Sequence, residues 1–199
     1  MTLTNIAVFE NQSPLFHPMT LARCAYELIT GCFSLLDRIQ YYFPNSLITL
    51  YCAPHLTEIM KHRYPSMPVN WLGNTHHCLF LNSQLIIDQC FVDTLTAYNT
   101  DHAYLVMSPD GMILAIHATP SLAVTIHDQL TTGKPGERHD ALRALCQSQC
   151  AVYHYTGGQL ITTAWDCLMN HHTQLQADMQ LLNRHFGIIK SDSDVLSVI

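Results

Sequence analysis

Three uninterrupted apolar runs, at residues 5–9, 47–52 and 78–82, do most to constrain what this chain can fold into. A strand with one wet face alternates apolar and polar residues. A run that is apolar throughout is covered on both faces, as in the parallel sheet of an α/β protein. Helical patterns lie between the runs. Ser34-Leu35-Leu36-Asp37 has capping-box spacing, with Asp for the usual Glu, and opens a helix that stops before Pro44-Asn45. Pro54 suits the first position of the next helix, whose Leu56, Ile59, Met60 and Arg63/Tyr64 follow the 3–4 spacing. Phe91, Leu95 and Tyr98 mark a third.

Runs at 103–107 and 112–117 flank Ser108-Pro109-Asp110-Gly111, a turn sequence, so 103–117 is predicted to be an antiparallel hairpin. Gly133-Lys134-Pro135-Gly136 reads as a loop, followed by a helix near 137–148 and a short strand near 150–155. The expected fold is α/β: a Rossmann-like, mostly parallel sheet flanked by helices, with a hairpin insertion and a long C-terminal helix.

That last helix begins near Ala164 and carries Trp165, Leu168, His172, Leu175, Met179, Leu182 and Phe186 at alternating steps of three and four. A stripe of this kind packs on a sheet or on another helix. Burial against the parent domain is the expectation, and the helix at 164–186 is also the candidate for a homo-oligomer contact. His172 on the stripe is read as a hydrogen-bonded boundary residue.

The length suits one domain, placed at 1–187, with 188–199 as a tail or linker. The formal charge is −6 with nine Lys and Arg and no basic run, which argues against nucleic acid. No apolar run is long enough to cross a membrane. Eight cysteines without a CxxC pair read as buried free thiols, and the expected location is cytoplasmic. Thirteen histidines, including His76-His77 and His171-His172, form no metal motif, since adjacent residues on regular structure point different ways.

The first strand is not followed by a glycine-rich phosphate cradle. In its place the chain carries Pro14-Leu15, Thr20, Arg23, Glu27-Leu28 and Gly31, then Leu81-Asn82 at a strand end, Asp110-Gly111 in the hairpin, and Trp165-Asp166, Asn170 and Asp178 in the late helix. In order and spacing this resembles the N-terminal domain of the GlmU-like sugar nucleotidyltransferases, over about residues 5–185. The resemblance implies a nucleotide-diphospho-sugar transferase-like fold, a nucleoside triphosphate and a sugar phosphate as partners, and Mg²⁺ as cofactor. In that family a left-handed β-helix domain typically comes next; no hexapeptide repeats occur here. The activity implied is that of an N-acetylglucosamine-1-phosphate uridyltransferase-like enzyme. Ile29 stands where the family has Arg, and Cys24 where it has Pro, so a non-catalytic binding or assembly module of the same fold is the alternative.

Nucleotidyl transfer needs reactants aligned and polyphosphate charge neutralised. Sites in open parallel sheets lie at the carboxyl ends of the strands. The loop at 10–23 would hold the triphosphate, with Arg23 as the catalytic phosphate contact and Thr20 and Glu27 beside it. Asn82 stands where a metal-binding Asp is expected and is read as a sugar contact, a degraded metal ligand or a strand-end turn residue. Asp166 and Asn170 share a helix face that could address sugar or metal, although Thr163-Ala164-Trp165-Asp166 also has capping-box spacing. Glu27 could pair with Arg23 across one turn. Lys134 is either a loop cation closing on phosphates or a solvated lysine.

Overall fold

The structure is a computed structural model describing residues 5–10, 16, 18–73, 77–98, 101–133 and 137–186. In chain order the strands are β1 (Asn5–Phe9), β2 (Ile29–Thr30), β3 (Phe33–Ser34), β4 (Leu47–Leu50), β5 (Cys78–Asn82), β6 (Leu85–Ile86), β7 (Tyr104–Met107), β8 (Ile113–Ala118), β9 (Ala151–His154) and β10 (Gln159–Leu160). The helices are α1 (Leu35–Tyr42), α2 (Thr57–Arg63), α3 (Gln89–Ala97), α4 (Pro120–Thr132), α5 (Arg138–Gln149) and α6 (Ala164–Phe186).

Six strands form one sheet in the order β4-β1-β5-β8-β7-β9. Every pairing is parallel except those of β8 with β5 and β7. The continuous apolar runs supply the three strands at one end, and their side chains divide by parity. Ile6 and Val8 of β1 join α1, α2 and α3 in one core, whereas Ala7 and Phe9 join α4 and α5 in the other. The sheet is therefore covered on both faces, as continuous hydrophobicity requires. Both predicted strands of the hairpin form, closed by Gly111 at φ +81° with its N–H on Ser108 O at 3.0 Å.

Local signals account for several helix ends. Ser34 caps α1, its Oγ accepting from Asp37 N at 3.1 Å while Asp37 Oδ2 accepts from Ser34 N at 2.9 Å. Asp88 caps α3 through Phe91 N. Pro54 starts a short 3-10 turn that leads into α2, where Leu56 and Met60 are buried but Ile59 is exposed. A helix not in the sequence reading, α4, starts at Pro120 and buries Leu122, Ala123, Ile126 and Leu130. Six of the eight cysteines are buried or half-buried, while Cys32 and Cys90 are exposed, and all eight are free.

The long helix corrects one expectation. Its apolar stripe faces outward: Trp165 is 72% exposed and Leu168 66%. The face turned to the domain holds Cys167, His171, Gln174 and Asp178 and meets the β2–β3 hairpin. That hairpin has polar needs which the apolar stripe could not meet. Thr30 Oγ1 donates to Cys167 O, Gly31 N to His171 Nδ1, and Cys32 N to Asp178 Oδ2 at 2.7 Å. Buried backbone N–H groups must find partners, and here they select the helix face.

Candidate functional site

Strand order locates a crevice before any side chain is considered. From β1 the chain moves outward to β4, then returns past β1 to β5, so the connections leaving β1 and β5 run in opposite directions. Ligands of open α/β sheets bind at such a switch point, outside the carboxyl ends of the strands. Here that edge carries Glu10 after β1, Cys52 after β4, and Asn82-Ser83-Gln84 after β5, with Ser83 N bonded to Phe9 O at 2.9 Å.

Glu10 is the residue that sequence reasoning missed, and a charge directly after an apolar strand was the available signal. It is buried, and its Oε1 accepts the N–H of Ala25, closing the long loop that leaves β1. Burial pushes its carboxyl from 4.5 up to about 7, opposed by the Ala25 hydrogen bond and by the positive charge of Arg138, and reinforced by Glu27. No ion pair neutralises it among the described residues.

Arg138 starts α5 and was likewise absent from the sequence candidates. Its guanidinium is buried, with Nη2 donating to Gly133 O at 3.0 Å and Nε without a hydrogen-bond partner among the described residues. Burial lowers its pKa and Glu10 raises it, so the two charges sense one another. Cys24 is buried just before the Ala25 contact, and its thiol is pushed up by Cys52 and by burial.

The sequence candidates fall into two groups. Arg23 is exposed on the returning loop, just before the point where Glu10 holds Ala25, and has no ion pair among the described residues. Thr20 is half-buried, with its N–H on Phe16 O at 3.4 Å. Glu27 corrects the expected pairing: its Oε1 binds Arg63, not Arg23, while Oε2 accepts from Cys24 N at 2.8 Å. The i,i+4 geometry needed for the Arg23 pair is missing because residues 25–27 form a 3-10 turn. Asn82 is fully buried, its Nδ2 donating to Ile113 O at 2.7 Å and its Oδ1 accepting from Gln84 N at 3.0 Å. Both ends of that amide thus serve the sheet edge.

The second group lies at the start of α6. Asp166 Oδ2 accepts from Thr162 N, Thr162 Oγ1 and Thr163 N at 2.7–2.8 Å. Burial would raise its pKa, but these bonds together bring it below the usual carboxylate value. Asn170 Oδ1 accepts from Gln159 Nε2, and Gln159 Oε1 from Gln174 Nε2 at 3.1 Å. Lys134, most of residues 10–17 and the 188–199 tail lie outside the described residues.

Among the described residues no three His, Cys, Asp or Glu side chains converge as a metal site. No described helix is long and apolar enough to cross a membrane. In fold the chain is similar to molybdopterin-guanine dinucleotide biosynthesis protein A from Archaeoglobus fulgidus, with a TM-score of 0.53 and 12% identity over 85% of this chain and 98% of that one. It is similar also to a Bacillus anthracis protein assigned as a glucose-1-phosphate thymidylyltransferase and solved with sucrose, with a TM-score of 0.52 and 8% identity over 86% and 95%. No curated protein matches the chain by sequence. The family model of the sugar nucleotidyl transferases matches residues 6–185, from the first strand through the last helix, and the chain belongs to that family.

Proposed function

We propose that this chain transfers a nucleotidyl group from a nucleoside triphosphate to a sugar 1-phosphate in the crevice between β1 and β5, with a uridine nucleotide as donor. The observation that carries the reading is one edge of the sheet bearing a buried carboxyl at Glu10, without an ion pair among the described residues, and two arginines, Arg23 and Arg138, of which one is exposed and the other half-satisfied. A phosphate oxygen of the sugar phosphate forms the new bond to the α-phosphorus. The bond to the bridging oxygen breaks, and pyrophosphate leaves with its electron pair. The nucleophile is already an anion, so the protein's task is alignment and charge neutralisation.

Arg23 meets the incoming triphosphate at the mouth, and Arg138 adds positive charge from α5. Mg²⁺ commonly takes one or two carboxylates and completes its shell with water and phosphate oxygens. The donor set fits that pattern through Glu10 alone, because Glu27 is held by Arg63 and Asp166 by the α6 cap. When bound, the ion would neutralise the polyphosphate charge. Eight free thiols suit a reducing compartment such as the cytoplasm.

The engagement of Glu27, Asn82 and Asp166 in the fold favours a second reading, a module that binds the nucleotide without turning it over. Calorimetry with UTP, dTTP, CTP and GTP in Mg²⁺, paired with pyrophosphate release on glucose 1-phosphate and N-acetylglucosamine 1-phosphate, separates the two. Transfer predicts saturable heat, pyrophosphate release and at least tenfold weaker binding in Arg23→Ala, the loss expected of a charge-assisted contact. Heat without pyrophosphate supports the module. No heat with any nucleotide removes both.

A further inference from the structure

We infer that the outward stripe of α6 pairs with the same stripe of a second copy of this chain. Trp165, Leu168 and Met169 are 72%, 66% and 78% exposed, and Leu175 and Met179 are exposed further along the same side. Exposed faces of helices are normally charged. Here the charged groups between 165 and 183 are Asp166, which caps the helix, and Asp178, buried against Arg38, so the outward side carries neither sign.

Two features select a second copy as the occupant. The stripe residues, with His172 at one position among apolar ones, step by three and four, which is the seam of a two-helix coiled coil, and such a seam fits a partner helix of the same period. Coiled coils choose a different partner through charges beside the seam. The flanking positions on the open side are Met169, Gln176 and Asn183, which are uncharged, and on the other side Asp178 is buried against Arg38, so stripe on stripe meets no like-charge repulsion. The contact is self-complementary, as a two-fold interface requires.

The area sets the strength. Scaling the exposures by side-chain size puts roughly 400 Å² of apolar surface on the stripe, within the range of the largest patch on a monomer. Two stripes hide about 800 Å², and polar side chains such as His172 on the stripe and Gln176 beside it carry the total toward about 1,200 Å², the lower end of specific interfaces. The pair is therefore a weak, concentration-dependent dimer.

Sedimentation of the full chain from about 5 to 500 µM tests this, an interval bracketing the micromolar affinities of small interfaces. Apparent mass should climb from 22.5 kDa toward twice that value. The chain has two tryptophans, so Trp71→Phe leaves Trp165 as the reporter, and its emission should move to the blue over the same interval. Leu168→Glu and, separately, Met169→Glu should hold the chain monomeric and the emission red, with unchanged circular dichroism, since both side chains are exposed. A monomer at every concentration overturns the inference. So does a dimer that neither substitution weakens, because its interface lies elsewhere.

Discussion

Arg38 and Asp178, 140 residues apart, are joined by two hydrogen bonds with both side chains buried: Nη1 to Oδ1 at 2.5 Å and Nη2 to Oδ2 at 2.9 Å. The same guanidinium donates to Thr30 O at 2.6 Å, and the same carboxylate accepts from Cys32 N. The pair fastens α6 to the β2–β3 hairpin and to α1, and through them to the half of the sheet that carries the candidate site.

Removing one partner should therefore cost more than the pair's net worth, because it strands a buried charge. Asp178→Ala is expected to lose about 3–5 kcal/mol, with thermal unfolding about 10 °C lower. The double variant Arg38→Met/Asp178→Leu should recover most of that loss. Denaturant unfolding of the three proteins checks this. A double variant as unstable as the single one would show that the hydrogen bonds to Thr30 O and Cys32 N, not the stranded charge, dominate.

Gly31 makes the approach of α6 possible. Its φ is +78°, and a Cβ there would fall inside van der Waals contact of Asp178 Oδ2 and 2.8 Å from the Gln174 backbone. Gly31→Ala should cost at least about 2 kcal/mol, from backbone strain and the clash together. Hydrogen exchange should show lost protection in α6 before β1 and β5.

The sheet and most helices were legible because they rest on local patterns: apolar runs for β1, β4 and β5, and the Ser34–Asp37 box for α1. The packing face of α6 was not. Its stripe pointed to burial, but the choice was made by the polar groups of a hairpin about 140 residues away. The partner of Glu27 is Arg63, 36 residues on, which spacing cannot reveal. Glu10 stood one residue past a correctly bounded strand, whereas the burial of Arg138 depends on long-range packing with no sequence signature.

Asn82 separates a ligand role from a structural one. Its amide bridges β8 and the segment after β5, so Asn82→Asp sets an oxygen against Ile113 O. At neutral pH this should destabilise the chain by about 2–4 kcal/mol, the cost of a buried unpaired acceptor with charge. At pH 5 the loss should shrink as the new carboxyl keeps its proton and donates to Ile113 O. Nucleotide affinity of the folded protein should be unchanged. Tighter Mg²⁺ binding without a stability cost would assign Asn82 to the ligand site instead.

Glu10 should make stability depend on pH in the direction opposite to a salt-bridged carboxylate. Its folded value near 7 lies above the unfolded 4.5, because burial penalises the charged form. Below pH 4.5 both states hold the proton and the full contribution is present. Between 4.5 and 7 the unfolded chain releases the proton while the native one retains it, so stability falls as pH rises, then levels off. The interval is worth about 3 kcal/mol. Glu10→Gln keeps an acceptor for Ala25 N and removes the titration. The difference in unfolding free energy between variant and wild type, measured from pH 4.5 to 8, cancels the other titrating groups. It should shift toward the variant by that amount as pH rises; a difference that stays flat would mean that Glu10 is already ionised in the native protein.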